Sequence, residues 1–252
     1  MRPLFLLSND DGVDAIGLRV LGEALSTVGD VVICAPTVEQ SGTSHSISLH
    51  RPLRLLEEEP GIYCVDGTPA DCVYVALHSI GRVLPRKPDV VVSGLNHGLN
   101  LGNDVFYSGT VAAAREGALK GVPGLAVSAS ARTDRAAAAA IAARLAVSLA
   151  AQCPGQSVLF NVNFPPGASW PVCVTRLGNR RYSDGIEFRR DPRGGEYLWI
   201  GTGEVEHDCD EGTDTWAFDQ NKVGVTPLSL ELWAHGQSPV VDRVVAAAGL
   251  KS

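Results

Sequence analysis

Aromatic side chains are scarce in this chain, at 6% of 252 residues, so an aromatic stacking platform for bases is not expected. Positive charge is also in deficit. Lys and Arg total 21 against 28 for Asp and Glu, a formal net charge of −7. That balance argues against a nucleic-acid polymer held by phosphate neutralisation. It does not exclude small phosphorylated ligands, which a few local groups can hold. Long apolar runs are missing too. The opening run stops at Ser8 and meets Asp10 and Asp11, so no signal peptide is expected. The Ala-rich stretch from Ala136 is interrupted by Arg144, too early for a membrane span. The six cysteines form no CxxC pair and several sit among Val and Ile, which reads as reduced core thiols in a cytoplasmic protein. Four short motifs are absent: GxxxxGK[ST], a strand-to-helix GxGxxG, GxSxG and HExxH. Their absence removes the Walker-type NTPases, dinucleotide-binding Rossmann enzymes, α/β-hydrolases and zincins.

What is present begins as a β-loop-α-β unit. Residues 4–8 are apolar without helical period, a buried strand, and Asn9-Asp10-Asp11-Gly12 breaks it. From Asp14 onward Leu18, Leu21, Leu25 and Val28 keep helical spacing up to Gly29. Residues 31–35 form a second buried strand. Residues 47–65 are irregular and extended. Thr68-Pro69-Ala70-Asp71 is a helix start, with Thr as N-cap, Pro at the first position and an acid three residues on. That helix is expected to run to about Ile80. Strands follow at 89–93, 125–128 and 158–162, and helices from Thr110 to Gly121 and beyond Asp134. A long Gly/Asn loop spans 94–109. After residue 165 the pattern changes. Residues 182–189 and 196–200 flank a Gly-rich turn and read as a hairpin, with a short helix at 213–219 and a strand at 223–230. The expectation is a Rossmann-like three-layer α/β core with a mainly parallel sheet over 1–180. A C-terminal extension over 181–252 would not be an independent domain.

Three loops carry the chemistry, each after an expected strand, where open α/β sheets bind ligands. In the first, Asp10 and Asp11 can face one side of a turn broken by Gly12. Two close carboxylates are costly unless a cation shares them, although an Asx turn with a capping acid explains them equally. The second contains Ser41 beside Gly42 and by itself is an ordinary polar loop. The third repeats glycine at 94, 98 and 102, offers Asn96 and Asn100, and enters a helix through Ser108-Gly109-Thr110. A helix N-terminus with two hydroxyls binds anions, and capping can coexist with that role. His45 and His97 lie in these loops and rank as proton donors rather than ligands. The oxygen set Asp10, Asp11, Ser41 and Asn96 suits Mg²⁺ or Mn²⁺ better than Zn²⁺. With a phosphate pocket at Ser108, Gly109 and Thr110 it would make a metal-dependent phosphoryl-transfer site. The competing reading is a non-catalytic nucleotide-binding or regulatory protein using the same loops.

The chain resembles the survival protein SurE family of metal-dependent nucleotidases. The resemblance rests on Ser8-Asn9-Asp10-Asp11-Gly12-Val13, Gln40-Ser41-Gly42, Gly67-Thr68-Pro69-Ala70-Asp71 and Ser93-Gly94-Leu95-Asn96-His97-Gly98-Leu99-Asn100. Tyr107-Ser108-Gly109-Thr110, Asn161-Val162-Asn163-Phe164-Pro165 and Thr213-Asp214 complete it, in family order along nearly the whole chain. It implies a Rossmann-like core with a C-terminal extension used in oligomer formation. The implied reaction is hydrolysis of nucleoside 5′- and 3′-monophosphates, with short polyphosphate as a further substrate. One divalent ion per subunit is implied on Asp10, Asp11, Ser41 and Asn96. Asn9, Asn100 and the Ser108–Thr110 turn would hold phosphate oxygens. Whether water attacks phosphorus directly, or Asp10 or Asp11 acts as nucleophile, stays open at this level. Two positions depart from the pattern: Ile16 stands where the family has Pro, and Asn221-Lys222-Val223-Gly224 replaces Gly-Tyr-Val-Ser. The first should alter only a helix start. Because an isolated hairpin is marginal in water, the 182–200 arm should pack on a second subunit, in a homodimer or homotetramer.

Overall fold

The computed structural model describes residues 2–182, 185–200, 205–234 and 236–249. Ser183 and Asp184, at the start of the expected hairpin, lie outside the described residues.

Strand β1 (Leu4–Ser8) is buried on both faces, as a central parallel strand must be. Helix α1 (Ile16–Ser26) follows, two residues later than the apolar spacing suggested, and its N-cap Ala15 offers no side-chain bond. Ile16 thus coincides with the delayed start. Strand β2 (Asp30–Pro36) pairs parallel with β1. The irregular stretch resolves into an antiparallel pair, β3 (Leu55–Glu59) and β4 (Ile62–Val65). Helix α2 (Pro69–Leu77) opens with a complete capping box: the Asp71 N–H donates to Thr68 Oγ1, and the Thr68 N–H donates to Asp71 Oδ2.

Strand β5 (Val90–His97) corrects the expectation that residues 94–109 are all loop. Its pairing with β6 (Gly124–Ala129) shifts after Ser93 and resumes at Asn96 with Ser128 and His97 with Ala129. A Cβ at Gly94 would lie 2.3 Å from the Val127 carbonyl oxygen, so glycine is what lets the strand stay in the sheet. A single 3₁₀ turn (Gly102–Phe106) leads to α3 (Gly109–Leu119), which Ser108 caps by accepting from the Val111 N–H. Helix α4 (Arg135–Gln152) and strand β7 (Leu159–Phe164) complete the βα alternation. Beyond it lie β8 (Val172–Val174), β9 (Arg180–Tyr182), β10 (Ile186–Arg190), β11 (Glu196–Ile200), β12 (Val205–His207), α5 (Asp214–Asp219), β13 (Val223–Leu228) and α6 (Ser238–Ala247).

The nine-stranded sheet runs β3-β4-β2-β1-β5-β6-β7-β13-β8. Six central strands are parallel, and β13 returns antiparallel against β7. The central sheet therefore takes in a strand from beyond residue 180. Alternation along β1 sorts the layers. Phe5 and Leu7 pack with Leu18, Leu21 and Leu25 of α1 and the alanines of α4. Leu4 and Leu6 pack with Val73 and Ala76 of α2 and Ala113 of α3. The chain leaves β1 toward β2 on one side and returns to β5 on the other. Such a reversal of strand order opens a crevice at the carboxyl ends of β1 and β5.

The expected hairpin is shorter than proposed, with β10 pairing β11 from Ile186 to Arg190. Tyr182 belongs instead to a second ribbon, in which β9 pairs β12. All six cysteines are free thiols. No helix among the described residues is long and apolar enough to cross a membrane.

Candidate functional site

Asp10 sits where β1 ends. It is 5% exposed, and its Oδ1 accepts a hydrogen bond from the Thr110 hydroxyl in the first turn of α3. The turn that holds it is built locally. Gly12, at φ +99°, takes a conformation that L side chains avoid, and its carbonyl accepts from Asn9 Nδ2 at 2.8 Å. The Asp10 carbonyl accepts from the Gln40 N–H at 2.7 Å, which ties the loop after β2 to the loop after β1. Gly109 lets α3 approach: a Cβ there would lie 2.8 Å from Asp10 Cβ and 3.1 Å from Pro69 Cγ. The helix N-terminus and the acid are in direct contact because position 109 has no side chain.

Burial pushes the Asp10 carboxyl from 3.8 to about 6; the Thr110 bond opposes this and the neighbouring charge of Asp11 adds to it. Burial also raises Asp11, against the His97 backbone N–H, which donates to its Oδ2 at 3.1 Å. Two carboxylates held where neither is comfortable as an anion make a site short of positive charge. The residues nearby are oxygen donors. Ser41 Oγ donates to Glu39 at 2.8 Å and keeps its lone pairs. Asn96 commits Nδ2 to the Gly98 carbonyl at 3.1 Å, leaving Oδ1 as the end that can face a cation. The Asn9 Oδ1 and the hydroxyls of Ser8 and Ser93 are buried without a partner.

A cleft of about 870 Å³ opens at this point, lined by Asp10, Ser41, Asn96, His97, Asn100 and Ser108 among others. Asp11 faces an adjoining cleft of about 340 Å³, which Ser41 and His97 also line. The structure thus gathers the three loops, with Thr110 and Gly109 against Asp10. His45 goes elsewhere, pairing its Nε2 with Glu116 Oε2 at 2.9 Å. There burial would raise Glu116, but His45 and Lys120 outweigh it and hold the carboxyl below its usual range.

Asn100 lines the cleft, yet its Nδ2 donates to Ser128 Oγ at 2.8 Å and its N–H to Asn163 Oδ1 at 2.8 Å. Its carbonyl accepts from Asn161 and Asn163. Asn161 and Asn163 therefore fix the loop that carries Asn100. Their signal in the sequence is two polar residues two apart in an apolar strand, which places both on one face. Sequence reasoning also missed the far wall of the cleft, where Tyr107, Tyr182, Ile186 and Ile200 supply apolar surface. Tyr182 is anchored by donating to Asp104 Oδ1 at 2.6 Å, and Arg180 donates to Oδ2 of the same carboxylate.

Residues 5–184 match the family model described as Survival protein SurE. A protein of Sorangium cellulosum (strain So ce56), named 5'-nucleotidase SurE, is 61% identical over 250 residues, 98% of this chain and 97% of its own length. One of the same name from Myxococcus xanthus (strain DK1622) is 46% identical over 238 residues, covering 93% of this chain and 90% of that protein. The crystal structure of the Sure protein from Aquifex aeolicus superposes with a TM-score of 0.83 at 36% identity, covering 96% of this chain and 99% of that one. Sequence and fold agree, and the chain belongs to the SurE family.

Proposed function

We propose that this chain is a metal-dependent phosphomonoesterase that hydrolyses nucleoside 5′-monophosphates, and also 3′-monophosphates, to nucleoside and phosphate. The observation that carries the reading is an acid pair of which Asp10 is buried against a helix N-terminus and Asp11 is half-buried beside it. A pure phosphate binder gains nothing from two carboxylates beside an anion. With a cation between them, the same arrangement becomes favourable. The family's curated relatives carry the name 5'-nucleotidase.

The residues present fit a divalent ion. Every donor in the set is oxygen, and the buried, unpartnered Asn9 Oδ1 adjoins the acid pair, which suits Mg²⁺ or Mn²⁺. Asp10, Asp11, Ser41 and Asn96 would hold one such ion per subunit. When bound, it supplies positive charge that offsets the phosphate oxygens and eases deprotonation of an attacking water. The chain does the rest. Thr110 fixes the Asp10 carboxylate. The N-terminus of α3 at Ser108–Thr110 offers positive potential to the phosphate. Asn9 and Asn100 orient the phosphate from the β1 and β5 loops. Water adds to phosphorus as the bond to the nucleoside oxygen breaks; the proton the water loses passes to solvent, and His97 supplies the proton the departing alcohol takes up. The nucleoside rests against Tyr107, Tyr182, Ile186 and Ile200. Short polyphosphate presents the same terminal group and is a further substrate.

We propose a homodimer or homotetramer as the working unit. Phe188 and Trp199 of the β10–β11 hairpin do not line the cleft, yet both are more than half exposed in the single chain, and a second subunit would cover them. Light scattering at micromolar concentration should give a multiple of the 26.5 kDa chain mass; a clean monomer would refute it.

The function is tested by phosphate release from AMP, with and without EDTA. Release that depends on added Mn²⁺ or Mg²⁺ and stops in EDTA is expected. AMP binding without turnover under every metal condition would favour the non-catalytic binder.

A further inference from the structure

Away from the cleft, at the base of the arm, three side chains of different chemistry converge. His207 ends β12, Cys209 follows two residues later, and Asp219 ends α5. His207 Nε2 lies 3.0 Å from Asp219 Oδ2, and Cys209 Sγ lies 3.3 Å from the same oxygen. All three ligand atoms fall within 4.8 Å of one another. We propose that His207, Cys209 and Asp219 form a second cation site, one that takes a thiophilic divalent ion of the Zn²⁺ class.

The geometry is the reason. Around zinc, with bonds near 2.0 Å to nitrogen and oxygen and 2.3 Å to sulfur, tetrahedral ligand atoms stand about 3.3–3.6 Å apart. The observed 3.0 and 3.3 Å need an opening of only a few tenths of an ångström to admit the ion, and the imidazole and thiol, within 4.8 Å of each other, need at most about 1.3 Å of closure to reach the same spacing. The backbone between the two N-terminal ligands is already pinned. The Asp208 N–H donates to the Asn179 carbonyl at 3.1 Å, and the Asp208 carbonyl accepts from Thr215 Oγ1 at 2.7 Å. Residues 207 and 209 flank that pinned residue, and alternate residues of extended chain face the same way. The Asp208 carboxylate turns aside to Arg181 at 2.7 Å and does not compete. Asp210 and Glu211, both exposed, add negative charge around the entrance.

The donor set separates this site from the first. Sulfur and imidazole select a softer ion than the all-oxygen set at Asp10 and Asp11. Three protein ligands leave a fourth position for water, and the thiol releases its proton to solvent on binding. Such an ion would tie β12 to α5, and through β9 the ribbon that presents Tyr182 to the cleft.

The test is a Co²⁺ titration of the full chain followed by absorption spectroscopy. A near-ultraviolet thiolate-to-cobalt band should appear, be bleached by Zn²⁺ and persist in excess Mg²⁺. Cys209→Ser should abolish it while leaving circular dichroism and Mn²⁺-supported AMP turnover as in the parent chain. His207→Gln and Asp219→Asn should each weaken Zn²⁺ binding by at least about tenfold in competition dialysis, since even outer partners of ligands cost that much. No thiolate band, a band that survives Cys209→Ser, or unchanged affinity in both other variants would overturn the site. The cobalt band and the Zn²⁺ competition do not depend on phosphate release, so they stand whatever becomes of the proposed reaction.

Discussion

The two walls of the cleft are held in opposite ways. On the β1–α3 side, Asp10 is 5% exposed and stands in the turn that follows a strand buried at every position, with Phe5 and Leu7 packed against α1 and α4. On the arm side, Ile186 is 58% exposed and Ile200 is 81% exposed, on a two-stranded ribbon outside the main sheet. Under the proposed function the contrast would divide the labour: groups that must be placed to a fraction of an ångström would come from the buried layer, and apolar surface for the variable part of a substrate from the arm. Substitutions should sort accordingly: steep losses of turnover on one wall, shallow losses of affinity on the other.

The steepest loss is expected from Asp10→Asn. It keeps the size and the Thr110 contact but removes a charge from the cation set. AMP turnover should fall by at least about a hundredfold. In EDTA the variant should melt higher than the parent, because two close carboxylates no longer repel. Near-normal turnover would place the chemistry elsewhere.

The pH dependence of stability sharpens the same point. Without a divalent ion, Asp10 titrates near 6 in the folded chain against 3.8 as its ordinary value. Between those values the native state holds a proton that the unfolded chain has lost, so stability declines as pH climbs from about 4 to 6. The full penalty, on the order of 3 kcal/mol, is present above that window. Melts in EDTA at pH 4 and pH 7 should show it, and Asp10→Asn should flatten the difference. A parent chain with no decline across that window would contradict the burial argument.

Thr110→Val should come next. It removes the hydroxyl that holds the carboxylate and leaves the helix in place, so Mn²⁺ affinity should drop by about tenfold with the fold intact. Ile200→Ser should do least. With its side chain mostly in water, KM for AMP should rise roughly threefold while kcat stays put. A large fall in kcat from this change would erase the distinction between the walls.

Much of the rigid wall was legible from sequence because local rules dictate it. Thr68-Pro69-Ala70-Asp71 specifies its own capping box, and the run 4–8 followed by Asn-Asp-Asp-Gly specifies a strand that ends in a turn. The three loops could be nominated because parallel sheets put ligands at one edge. What stayed hidden was set by distant partners. Nothing within 223–228 says that the strand turns back antiparallel onto β7. The continuation of β5 through Asn96 depends on β6 supplying Ser128 and Ala129 as partners. Gly94 was visible as a loop signal, and only the 2.3 Å approach of the Val127 carbonyl shows why it is a strand residue. Asn161 and Asn163 stand out in the sequence only as part of a family motif, and their role in holding Asn100 shows only in the fold. Turn chemistry marks a bend and not where pairing stops, so the sequence suggests one hairpin from residue 182 where the fold has two ribbons.

The central claim is that Asp10 and Asp11 together hold the divalent ion on which turnover depends. Asp11→Asn tests it most directly, since Asn caps a turn as well as Asp does. Electron paramagnetic resonance would follow Mn²⁺ binding while AMP hydrolysis is measured across the same titration. The account predicts that Mn²⁺ affinity and turnover fall together in Asp11→Asn, with circular dichroism unchanged. Parent-like Mn²⁺ binding and turnover at low metal in that variant would contradict it.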